Sequence, residues 1–109
     1  MSVQAKNIVI LISGTGSNMA AIVRAAERGQ WARRHHARVA AVISNKADAA
    51  GLGIAKEHGI ATAVVDHKAF DSREAFDTAL AAEIDRHQPT LVVLSGFMRI
   101  LTPGFVAHY

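Results

Sequence analysis

The chain has 109 residues, half of them apolar and only 19% charged, with a formal net charge of +3. That length and composition suit one folded domain with a hydrophobic core and exclude an intrinsically disordered segment. Cysteine is absent, which rules out disulfides, zinc–thiolate sites and cysteine nucleophiles and suits a reducing cytoplasm.

The opening residues MSVQAKN carry no long apolar stretch, and no signal peptide is expected. Asn7 to Ile12 then reads NIVILI, a continuous run rich in β-branched residues. Such a run fits a strand buried on both faces, as in a parallel sheet. The loop Ser13–Asn18 follows. Met19, Ile22, Val23 and Ala26 recur at helical spacing, and Gly29 is a fitting stop. Arg38 to Ser44 reads as a second buried strand. Asp48 is placed to cap a short helix ending near Gly59, although Gly51 and Gly53 weaken it. Ile60 to Asp66 reads as a third strand. Asp71 and Glu74 have the spacing of a capping box. Phe76, Ala79, Leu80 and Ile84 continue it as an apolar stripe to about His87. Pro89 ends that helix, and Leu91 to Ser95 reads as a fourth buried strand. Thr102 and Pro103 look like the cap and first position of one more helix.

The order is βαβαβαβα with short connections. It predicts an α/β fold, a Rossmann-like parallel sheet of about four strands flanked by helices. No apolar run is long enough to span a membrane, so no membrane association is expected. Ligands of such sheets sit beyond the carboxyl ends of the strands. Those ends are the loops 13–18, 44–48, 66–70 and 96–101. Arg24, Arg28, Arg33, Arg34 and Arg38 gather much of the positive charge. With only Trp31 among them as an aromatic, they read as a solvated helix face and loop, and no nucleic-acid partner is expected.

Glycines at 14 and 16 permit positive φ and remove side chains that would block an anion. The amides of Gly16, Ser17 and Asn18 can then face one concavity at a helix N-terminus, where unpaired N–H groups and the helix dipole favour an anion. The competing reading is an ordinary tight turn with Ser17 or Asn18 as helix cap. A dinucleotide fingerprint requires a third glycine where Met19 stands, and an acid where the second strand ends in Ser44-Asn45. A P-loop requires a Gly-Lys-Ser/Thr ending that is absent. The loop therefore suits a phosphate monoester.

Leu91 to Leu101 reads LVVLSGFMRIL. Phe97, Met98, Ile100 and Leu101 are apolar in a loop at the ligand face, where they can clasp a flat ring or simply join the core. Arg99 can pair with an anionic ligand or with a surface carboxylate. Arg73 lies in the first turn of its helix, where a cation opposes the dipole. Its alternatives are chance and a carboxylate ligand. The histidines at 35, 36, 58, 67, 87 and 108 are scattered, mostly as surface residues, and show no metal-ligand spacing. None stands out as a general base, and no metal is expected.

The segments NIVILISGTGSN, ISNKADAAGL, AFDSREAFD and VVLSGFMRILTPGFVAHY resemble the phosphoribosylglycinamide formyltransferase family of purine biosynthesis. The resemblance runs over essentially the whole chain. It implies transfer of a formyl group from 10-formyltetrahydrofolate, the co-substrate, to glycinamide ribonucleotide. By the same resemblance Gly16, Ser17 and Asn18 match the positions that hold the substrate phosphate. Arg73 matches a folate-binding arginine, and Met98, Arg99, Ile100 and Leu101 match the segment that contacts the folate, largely its pterin. A formyltetrahydrofolate hydrolase or related formyltransferase, and a catalytically inert phosphate-ligand binding fragment, are the competing functions.

One departure stands out. The family's catalytic Asn and His lie in an Asn-x-His-Pro segment beyond the position of Tyr109, and a catalytic Asp comes later. No residue of this chain matches them, and His108 falls in the preceding helix. Residues 1–109 therefore read as the N-terminal phosphate- and folate-binding part of a formyltransferase domain, with the C-terminal catalytic part absent. Formyl transfer needs proton transfers and oxyanion stabilisation, so negligible turnover is expected of this polypeptide alone. Apolar surface left uncovered beside the fourth strand is expected to promote self-association.

Overall fold

The computed structural model describes residues 6–97. Its elements are β1 (Lys6–Ile12), α1 (Ser17–Arg28), α2 (Trp31–His35), β2 (Ala37–Ser44), α3 (Ala50–Glu57), β3 (Ala61–Val64), α4 (Arg73–Asp85) and β4 (Leu91–Leu94), with a single 3-10 turn at His67–Ala69. The four strands form one parallel sheet in the order β3-β2-β1-β4. The expected α/β sheet of four parallel strands is therefore present. The helix expected from Thr102 and Pro103 lies outside the described residues.

β1 explains why the sheet is covered on both sides. Its side chains alternate between faces, as the pleat requires. Ile8, Ile10 and Ile12 pack with Met19 and Val23 of α1 and with Leu52 and Ala55 of α3. Val9 and Leu11 point the other way, into a cluster with Phe76, Leu80 and Ile84 of α4. The continuous apolar run of β1 is thus two interleaved sets, one for each helical layer. Parallel crossovers place helices on both faces in this manner.

Three sequence expectations shift, and one element appears that none of them named. Asp48 is not the cap of α3; Ala49 holds that position, with no side-chain cap bond. Asp71 is not the cap of α4 either. Ser72 takes that role one residue later, its hydroxyl accepting from the Ala75 amide at 3.0 Å. Ser72 has the extended backbone that lets its oxygen turn back onto the helix. The short helix α2 was not legible. It is flanked by Gln30 and His36, both at positive φ (51° and 53°). Finally, β4 is not buried on both faces. It is the edge of the described sheet, and Leu91 and Leu94 are each 54% exposed.

The arginines at 24, 28, 33, 34 and 38 are all exposed, as a solvated face requires. Among the described residues no helix is long and apolar enough to cross a membrane.

Candidate functional site

The strand order has one reversal. From β1 the chain steps outward to β2 and then β3, and β4 returns to pair on the other side of β1. Such a reversal opens a crevice at the carboxyl ends of the two strands where it occurs, because their connections leave in opposite directions. A cleft of about 270 Å³ lies there, lined by Ser13 to Asn18 after β1, Ser95 and Gly96 after β4, and Lys46 after β2.

The glycine loop forms one wall. Gly16 is the N-cap of α1, at φ 72° and ψ 23°, a left-handed conformation that glycine adopts without steric penalty. Neither Ser17 nor Asn18 caps the helix, so the tight-turn reading that needed one of them fails. Both are exposed in the first helical turn, and no side chain caps the amides there. Those N–H groups have no partner within the helix and carry the positive end of its dipole. Gly14 departs from expectation: it is not among the positive-φ glycines, and a Cβ there would meet nothing within 4 Å.

Gly51 fixes the loop from behind. Its amide donates to the Gly14 carbonyl at 3.1 Å. A Cβ on Gly16 would sit 2.8 Å from the Gly51 Cα, and one on Gly51 would sit 2.6 Å from Ile12 Cδ1. The glycine that weakened α3 in the sequence is thus a close-packing position. It lets the first turn of α3 press directly on the loop.

A buried polar chain lies beside the cleft. Ser13 Oγ donates to Asn45 Oδ1 at 2.6 Å, and Asn45 is 1% exposed. Nδ1 of His67 lies 3.3 Å from Asn45 Nδ2 and 3.2 Å from the Asn45 carbonyl, and its tautomer decides which bond forms. These contacts join the ends of β1 and β2 to the 3-10 turn. Sequence reasoning missed Asn45, Lys46 and Ser95 individually, although it marked the loops at 44–48 and 96–101. His67 is half-buried in this chain rather than a free surface residue. Ser95 is buried, and among the described residues its Oγ has no hydrogen-bond partner.

The other candidates distribute unevenly. Gly16, Ser17 and Asn18 come together in the cleft wall. Arg73 is exposed at the start of α4 and is not among the residues lining the cleft. Met98, Arg99, Ile100 and Leu101 lie outside the described residues. The arrangement that is described can hold an anion against backbone amides. It presents no paired acid and base for proton transfer.

The sequence profile of the formyl transferase family matches residues 6–109. The phosphoribosylglycinamide formyltransferase of Escherichia coli is 54% identical over 103 residues, covering 94% of this chain and 47% of that protein. The crystal structure of phosphoribosylglycinamide formyltransferase from Brucella melitensis superposes with a TM-score of 0.88 at 43% identity, over 97% of this chain and 53% of the other. The structure of the Coxiella burnetii phosphoribosylglycinamide formyltransferase in complex with CHES gives 0.87 at 43% identity, over 97% and 48%. The chain spans about half the length of these relatives.

Proposed function

The chain belongs to the formyl transferase family, and we propose that residues 1–109 form the part of a phosphoribosylglycinamide formyltransferase that receives the substrate phosphate and contacts the formyl donor. The reaction joins the amine nitrogen of glycinamide ribonucleotide to the formyl carbon of 10-formyltetrahydrofolate. The bond from that carbon to the folate nitrogen breaks, the amine loses a proton, and the folate nitrogen gains one. The observation that carries the proposal is the cleft at the strand-order reversal, walled by the glycine loop. A phosphate monoester fits there better than a dinucleotide, since Met19 replaces the third glycine and Asn45 stands where a ribose-binding acid would.

Within this reading Gly16, Ser17 and Asn18 hold the phosphate through amides and short side chains. Arg73 meets the folate, as does the segment Met98, Arg99, Ile100 and Leu101. The proton transfers belong to groups outside these 109 residues, in the family's Asn-x-His-Pro segment and later Asp. A cytoplasmic location fits the cysteine-free composition, and the exposed Leu91 and Leu94 edge is the surface through which chains self-associate.

Calorimetry with glycinamide ribonucleotide tests the assignment. The chain is expected to bind it, and Ser17→Ala combined with Asn18→Ala to weaken binding about tenfold or more, the scale of losing hydrogen bonds to a charged group. Equal affinity of the double variant would sink the loop's role. Sedimentation tests the edge: the apparent mass is expected to rise with concentration, and a monomer throughout would refute self-association.

A further inference from the structure

The amides of the glycine loop offer hydrogen bonds but no formal charge. A phosphate monoester carries about −1.5 to −2 near neutral pH. Taking such a dianion from water into a cleft needs compensation, and a cation at contact distance provides it most directly. Lys46 is the one formally charged side chain among the described residues that line this cleft.

The mounting of Lys46 supports a defined role. Its backbone is clamped by Ser44, whose Oγ accepts from the Lys46 amide at 3.0 Å and donates to its carbonyl at 2.9 Å. Ser44 itself is fully buried. The Ala49 amide returns to the Lys46 carbonyl at 3.3 Å, and two residues later the Gly51 amide reaches Gly14. The segment that carries Lys46 is tied to the glycine loop on either side, by the Ser13–Asn45 bond before it and the Gly51–Gly14 bond after it. Its side chain is exposed, and among the described residues no carboxylate pairs with it. A second observation marks the cleft as built for a polar guest. Ser95 is 8% exposed and lines the same cleft, yet among the described residues its hydroxyl has no hydrogen-bond partner.

We infer that Lys46 is a substrate-binding residue: its ammonium closes over the phosphate held by Gly16–Asn18 and neutralises it. The inference rests on the phosphate-monoester reading of the cleft. It also separates two roles, the loop selecting the shape of the phosphate and the lysine its charge.

Ribose 5-phosphate titrated into the full chain, followed by the NMR shifts of the Gly16, Ser17 and Asn18 amides, tests it. Lys46→Met is expected to weaken binding about tenfold to a hundredfold, the scale of one charge-assisted hydrogen bond. Lys46→Arg keeps the charge and is expected to stay within about threefold of the wild-type chain, as is Lys68→Met, an exposed lysine outside the cleft. An unchanged melting temperature for Lys46→Met assigns the loss to the ligand rather than to folding. If Lys46→Met binds within threefold of wild type, the role of Lys46 is overturned and the phosphate loop stands. If the wild-type amides do not respond at all, the phosphate reading falls and the role of Lys46 with it.

Discussion

Replacing Gly16 by alanine is expected to destabilise the chain by about 2–5 kcal/mol and to abolish ligand binding at the cleft. Two penalties add. A residue with a Cβ in the left-handed region costs roughly 1–2 kcal/mol. The new methyl would also stand 2.8 Å from the Gly51 Cα and 2.9 Å from Met19 Cε. The methionine end can move aside. The Gly51 backbone cannot, because it is held against Gly14 and Ile12, so overpacking adds about 1–3 kcal/mol. Gly14→Ala is the control: open space surrounds it, and its effect is expected within about 0.5 kcal/mol. Urea unfolding of the two variants measures the difference. Equal stabilities would show that the Gly16–Gly51 contact does not hold the loop.

Asn45→Ala is expected to cost about 2–4 kcal/mol, although Asn45 belongs to no helix or strand. The substitution leaves a small cavity and removes the acceptor of the buried Ser13 hydroxyl and a partner of the His67 ring. A double-mutant cycle with Ser13→Ala isolates their bond, with a coupling of about 1–2 kcal/mol expected. A loss below about 0.5 kcal/mol for Asn45→Ala would mean that water replaces the side chain without penalty. Because the chain Ser13–Asn45–His67 lies directly behind the cleft, the same variant is expected to loosen the glycine loop.

What the sequence made legible follows from how local the cause is. The strand at Asn7–Ile12 and the stripes at Met19–Ala26 and Phe76–Ile84 are written in consecutive residues, and the structure follows them. So is the glycine loop, since Gly16 and the helix after it are neighbours in the chain. The helix caps were off by one because the cap is the residue whose backbone turns into the helix, Ala49 for α3 and Ser72 for α4, and that turn is not written in the residue types. The exposure of Leu91 and Leu94 was not legible in the apolar run, which does not reveal its strand's place in the sheet; uncovered apolar surface beside the fourth strand was expected only from the resemblance to a longer family. Asn45 escaped because its partners lie 32 and 22 residues away. Gly51 looked like a helix defect until the fold supplied Gly16 as its neighbour.

The alternation along β1 also limits how this protein can change. Ile8, Ile10 and Ile12 serve one helical layer, and Val9 and Leu11 serve the other. Inserting or deleting a single residue between Asn7 and Ser13 would send each layer the side chains shaped for its opposite. It would also rotate the glycine loop away from Lys46 and Ser95. The distance from the strand's first residue to the loop is therefore counted in pairs. Drift through this segment is open to substitution, one side chain at a time, and closed to odd changes of length.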